Sequence, residues 1–167
     1  ANFGGIESEV LTESEYGTVY RVYATFDSPT DELVAIYALG ETEPDSPPFS
    51  VSCSTSFFQS DYGSFLGNTN PLFFVVYPDL EYDSWFTIGS EDSNGTSDVQ
   101  NIGMSAELAD FEAGEGFTIN SFNSPSGGSL YLIPGLSSDA VAGDDLKVLI
   151  GQFTTDGEVS LCLNFQW

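Results

Sequence analysis

The densest run of side chains able to bind or catalyse is Asp79-Leu80-Glu81-Tyr82-Asp83, followed by Glu91 and Asp92. On an extended segment, period-two spacing puts Asp79, Glu81 and Asp83 on one side. Hard carboxylate oxygens converging there, with Asp92 from the next loop, are what Ca²⁺ takes as ligands. The spacing is not that of an EF-hand, whose glycine and terminal glutamate are missing, and a solvated strand end beside a polar loop has the same pattern. Asp139 with Asp144 and Asp145 forms a weaker second cluster. Asn94-Gly95-Thr96 is a complete glycosylation sequon in a polar loop, which makes Asn94 a candidate acceptor.

Other chemistries lack their parts. The chain has no His and only two cationic side chains, Arg21 and Lys147. Acyl-transfer triads therefore lack a base, and zinc sites built from His and Cys lack ligands. No phosphate-cradling glycine motif precedes a helix, and phosphoryl transfer would lack its electrostatic help. Glycoside hydrolysis needs only two carboxylates roughly 5 to 9.5 Å apart. Among 26 Asp and Glu such a pair arises by chance, so it identifies nothing. The reading is a protein without catalytic or cofactor-binding residues, and not an enzyme.

The formal net charge is −24. Phosphate backbones and anionic membrane surfaces are bound through Lys and Arg, so both are excluded as partners. No run of apolar residues is long enough to cross a membrane as a helix. Divalent cations, glycans and copies of the chain itself remain. An acidic surface also keeps a protein soluble in salty water without any specific partner.

The chain begins at Ala1 without a basic-then-apolar leader, as expected of a mature product after signal-peptide removal. The expected location is extracellular or at the cell surface. Cys162 alternates with Ser160 and Asn164, opposite Val159, Leu161, Leu163 and Phe165. A thiol on the more polar face is better explained by a disulfide with Cys53, and secretion permits one. Closing that loop would stabilise by about 4 to 5 kcal/mol in the chain-entropy model.

The elements that would position these groups are strands. Thr18 to Phe26 puts Tyr20, Val22, Ala24 and Phe26 on one face, and Leu33 to Leu39 follows as its hairpin partner. Glu41 to Pro48 is a loop by composition. Phe49 to Cys53, the apolar run Leu72 to Tyr77, Ser84 to Gly89, Phe117 to Asn120, Leu130 to Ile133, Leu146 to Thr154 and Glu158 to Trp167 are further strands. Asp156-Gly157 between the last two is a strong hairpin signal. Ser105 to Ala113 carries the sole helical period, stopped by Gly114. The fold class is all-β: an antiparallel β-sandwich, jelly-roll-like, with at most one short helix near 105–113.

Two features could make contacts with partners. Phe57, Phe58, Tyr62, Phe65, Trp85 and Tyr131 are numerous enough to supply a sugar-stacking platform, although most rings in such a chain must be core. Residues 1–12 read as an N-terminal arm before a β-sandwich domain over 13–167. Phe3, Ile6 and Val10 are its isolated apolar anchors. Such an arm can fold back on its own sheet or add to the edge or groove of a neighbouring copy. Head-to-tail addition that does not close gives a filament.

EYDSWFTIG (Glu81–Gly89), GGSLYLIPG (Gly127–Gly135) and the closing KVLIGQFTTDGEVSLCLNFQW carry a resemblance over roughly Thr18 to Trp167. The chain resembles secreted jelly-roll-like β-sandwich proteins of aquatic microbes and algae, of the type that form extracellular filaments. The resemblance implies surface or extracellular placement and assembly through the N-terminal arm; it supplies no catalytic residues. The expected function is thus a self-assembling extracellular structural subunit, a homopolymer. A secreted carbohydrate-binding or adhesion module, calcium-dependent or not, is the alternative.

Overall fold

A computed structural model of the chain describes residues 2–40, 45–120 and 126–167. Its strands are β1 (Phe3–Ser14), β2 (Gly17–Phe26), β3 (Ala35–Ala38), β4 (Phe49–Cys53), β5 (Trp85–Phe86), β6 (Gln100–Ile102), β7 (Phe117–Ile119), β8 (Gly128–Tyr131), β9 (Lys147–Thr155), β10 (Val159–Cys162) and β11 (Asn164–Gln166). One short α-helix, α1 (Ser105–Glu112), stands where the helical period lies. It buries Leu108 and Phe111, spaced three apart on one face, and leaves Ala106 exposed. The loop expected over Glu41 to Pro48 lies in part outside the described residues.

The strands form three antiparallel sheets in the orders β1-β2-β9-β5, β10-β4-β7 and β11-β3-β8-β6, and none of them closes. Two expected hairpins are not made. β2 pairs with β1 and β9, whereas β3 pairs with β8 and β11. Asp156-Gly157 turns the chain from the first sheet into the second, so β9 and β10 are not neighbours. The last strand then changes partner at Leu163: β10 lies on β4 and β11 lies on β3. Turn chemistry specifies a reversal of direction, and it leaves open which edge the returning strand meets.

All three sheets contribute to one core. Phe86 sits near its middle, with ring centroids 4.9 Å from Phe111, 5.3 Å from Phe153, 5.9 Å from Phe49 and 6.0 Å from Phe117. Val22, Ala24 and Phe26 of β2 and Val148 and Ile150 of β9 line it from the first sheet. After its first residue β9 is buried throughout, on both faces. Its second face is covered by the irregular segment between β4 and β5.

That segment contains the main departure from the strand expectation. Leu72 to Tyr77 is no core strand: Pro71–Val75 is a 3-10 helix without a buried residue. Two local signals account for this. Asn70 caps the turn by accepting from the Leu72 amide at 3.0 Å, and Pro71 occupies the first turn, where its missing N–H costs nothing. Pro78 opens a second 3-10 helix, Pro78–Tyr82.

The expected Cys53–Cys162 disulfide is corrected by the strand register. Cys53 lies opposite Val159 and Cys162 opposite Ser50, so the two are offset by three residues on adjacent strands. At about 3.3 Å per residue they are roughly 10 Å apart along the ladder. An odd offset also turns their side chains to opposite faces, and a disulfide spans no more than about 7 Å between Cα atoms. Both thiols are free and half-buried. Thiol titration of the denatured, unreduced protein should find two free thiols, and a reducing agent should leave the melting temperature unchanged. A loss of about 4 to 5 kcal/mol on reduction would instead restore the bridge.

Candidate assembly surface

The N-terminal residues expected to form an arm are a strand. β1 runs 12 residues antiparallel to β2, from Phe3 opposite Phe26 to Ser14 opposite Gly17. The turn between them needs Gly17, which has φ +118° and whose missing Cβ would lie 2.4 Å from the Thr155 carbonyl carbon. Among the described residues β1 has no partner strand on its other edge. Nearly all of it is exposed, on both faces.

The three anchors expected of the arm have different fates. Phe3 docks within its own chain, its ring centroid 4.9 Å from Phe165, 5.5 Å from Trp167 and 5.9 Å from Phe26. Ile6 and Val10 stay exposed at 42% and 57%. Both lie on the core-facing side of the ladder, opposite Ala24 and Tyr20. Leu11 is the extra residue of a bulge between Val10 and Thr12.

Beside Ile6 the sheets leave an open groove of about 490 Å³. Ile6, Ser8, Tyr20 and Val22 line it from the first sheet, and Glu158, Val159, Ser160 and Leu161 from β10 and the residue before it, so the lining is mixed, polar and apolar. β1 and β10 are the edges of their sheets, and among the described residues no strand bridges them.

The opposite side of the ladder carries both cationic side chains. Lys147 Nζ stands 3.8 Å from a Glu7 oxygen, 3.7 Å from a Glu9 oxygen and 4.2 Å from the Tyr23 ring centroid. Arg21 pairs with Glu91, donates to Gln152 Oε1 at 3.1 Å and lies 5.6 Å from the Trp85 ring centroid. Gln152 in turn donates to the backbone carbonyls of Asp83 at 2.8 Å and Glu81 at 3.1 Å. This chain of contacts fixes the Pro78–Tyr82 helix against the sheet.

The structure does not bring Asp79, Glu81, Asp83 and Asp92 together as a cage. Their segment is helical rather than extended, so the period-two argument does not apply. Asp83 points inward, is 1% exposed, and accepts from the amides of Ser60 at 2.9 Å and Ser64 at 3.1 Å. A Cβ on Gly63 would stand 2.0 Å from its Oδ2, so this close approach requires glycine. Asp79 accepts from the Ser60 hydroxyl at 2.6 Å. Glu81 and Asp92 line a cleft with Arg21 and Glu91, and Asp92 also accepts from the Asn94 amide at 2.7 Å. Among the described residues no three His, Cys, Asp or Glu side chains are grouped to hold an ion.

Asp139 belongs to a different construction. It accepts from the Ser90 hydroxyl at 2.6 Å and the Thr96 amide at 2.8 Å. Burial pushes its carboxyl up, but these bonds outweigh it and hold the group below the usual carboxylate range. They pin the loop that presents Asn94 to solvent. Asp144 and Asp145 are exposed and take no part. The six rings proposed as a sugar platform are divided: Phe57 and Trp85 are buried, Phe58 and Phe65 half-buried, and Tyr62 and Tyr131 exposed.

Sequence reasoning missed the exposure of Leu72, Phe73, Val75 and Val76, and missed the burial of Asp83. The Asn70-Pro71 start and the Pro78 restart were the legible signal for the first. Nothing local marks Asp83, because its amide donors lie some twenty residues earlier. No family model, curated protein or solved structure matches the chain.

Burial raises the Asp83 carboxyl to about 7, against the pull of the Ser60 and Ser64 amides and with a further rise from Glu112. The folded chain therefore binds more protons than the unfolded one between about pH 4 and pH 7. The associated stability is present below pH 4 and is lost as pH rises through about 7. Asp83→Asn should flatten the fall in unfolding free energy over that window by about 2 to 4 kcal/mol relative to wild type. Parallel denaturation profiles for the two proteins from pH 4 to pH 8 would refute the assignment.

Proposed function

We propose that the chain is an extracellular structural subunit that adds to copies of itself through strand β1. The observation that carries this reading is the 12-residue edge strand, unpaired on one side and exposed on both faces, beside an open groove with Ile6, Val22, Val159 and Leu161 in its lining. Edge strands of that length are templates for pairing, and soluble proteins restrain them with charge and bulges. β1 has both restraints: Glu7, Glu9 and Glu13 along it, and bulges after Phe3 and Val10. Lys147 already offsets Glu7 and Glu9. The remaining repulsion is long-range and falls with salt, so assembly belongs in a saline or cation-rich medium. With the cysteines free, extracellular placement rests on that charge. Divalent cations such as Ca²⁺ act in this reading on the edge carboxylates. We read the three sheets as a jelly-roll-like sandwich, supported by the last strand passing from one sheet to the next.

Electron microscopy in about 0.5 M NaCl, with and without millimolar calcium, tests this reading. Regular filaments are expected from the intact chain and none after deletion of residues 1–10. Ile6→Asp/Val10→Asp alters exposed positions only and should also abolish filaments, independently of any folding defect in the truncation. Dispersed monomers of the intact chain in every condition would sink self-assembly and leave the adhesion module, with glycan binding as its assay.

A further inference from the structure

The longest apolar run outside the core is on the surface. Leu72, Phe73, Val75 and Val76 are 75%, 54%, 86% and 64% exposed. Tyr62, 60% exposed, extends the patch by stacking on Tyr77 with centroids 4.0 Å apart. From Tyr62 through Tyr77 the sequence has no Asp, Glu, Lys or Arg, in a chain of net charge −24. Together these side chains present on the order of 500 Å² of apolar surface. That is at the upper end for a patch on a monomer and most of one side of a small specific interface.

The partner follows from charge and position. A cationic protein would be drawn to the acidic remainder of the surface and not to this uncharged patch. Two copies that repel each other elsewhere meet at lower electrostatic cost where one of the two faces carries no charge, as the patch does. The patch also lies beside β1: Phe74, between Phe73 and Val75 in the chain, lines one cleft with Leu11 on the Arg21 side of the β1–β2 ladder. The groove lies on the other, core-facing side, with apolar Ile6, Val22, Val159 and Leu161 beside polar Ser8, Ser160 and Glu158. Its volume of about 490 Å³ is in the range of about 300 to 1,000 Å³ that encloses a guest of several side chains.

We propose that Leu72, Phe73, Val75 and Val76 of one copy seat in the groove between β1 and β10 of the next. This rests on the self-assembly reading and identifies the segment that β1 receives. Knob and groove face opposite sides of one ladder, so a copy bound at one leaves the other free. A heterologous contact of that kind propagates unless its rotation closes a ring.

Two variants and their mixture decide it. Leu72→Asp/Val75→Asp removes the knob and keeps the groove; Ile6→Asp spoils the groove and keeps the knob. All three positions are exposed, so melting temperatures should match wild type. By sedimentation and native mass spectrometry in about 0.5 M NaCl, each variant alone should stay monomeric at about ten times the concentration at which wild type associates. An equimolar mixture should form one-to-one dimers that grow no further. If the knob variant assembles like wild type while deletion of residues 1–10 does not, the knob is refuted and assembly through β1 stands. Two monomeric variants whose mixture also stays monomeric overturn the knob-in-groove pairing. A wild type that never associates overturns both readings. If such a monomer binds phosphatidylcholine vesicles through Leu72 and Val75, the patch belongs to a neutral lipid surface.

Discussion

The burial of strand β9 on both faces is the constraint from which the rest of the structure follows. A strand with one wet face could end at an antiparallel pair, but β9 needs cover on each side. Val148, Ile150 and Phe153 meet the common core, while Gln152, Thr154 and Thr155 are buried with polar atoms. Buried polar groups are tolerated when bonded. Gln152 reaches the carbonyls of Glu81 and Asp83, the Thr154 amide donates to the Ser84 hydroxyl oxygen, and Asp83 takes two amides of the preceding loop. The irregular segment is thereby fixed as a lid on the sheet, and its two 3-10 helices are held in place.

Fixing that lid has a consequence for the surface. The Pro78–Tyr82 helix turns Leu80 inward. The preceding Pro71–Val75 helix has no sheet left to cover and turns its apolar side chains to solvent. On the same ladder the opposing sheets stop short of β1, which leaves Ile6 and Tyr20 above an open groove. The exposed patch and the groove both lie where the first sheet extends further than the layers that cover it.

Charge governs how such a surface is used. With 26 acidic side chains and two basic ones, repulsion is the default between copies. Both cations are on the first sheet's outer side, where they serve as internal ties: Arg21 to Glu91 and Gln152, Lys147 to Glu7 and Glu9. Exposed pairs of this kind contribute about 0 to 1 kcal/mol, so their effect is to orient the lid and soften the β1 edge more than to stabilise the fold. In the proposed assembly, contact between copies falls to the uncharged stretches, and ionic strength sets when they meet.

The sequence by itself determined what is local or additive. Period-two alternation located β2, runs bounded by turn residues located β4 and β9, and the lone helical stretch located α1 to within a residue. The absence of His and the scarcity of cations are likewise read directly from composition. Tertiary structure decided everything that depends on which strand lies beside which. Asp156-Gly157 specifies a turn, but whether it closes a hairpin or changes sheet depends on the free edge available to β10. Cys53 and Cys162 share a ladder, yet a three-residue register offset keeps them apart. Asp83 is acidic by composition and buried by partners twenty residues away. Leu72 to Tyr77 has the composition of a core strand, and the local Asn70-Pro71 start makes it a 3-10 turn on the surface instead. Composition and period are sums over neighbours in the chain, whereas register, burial and edges are properties of neighbours in space.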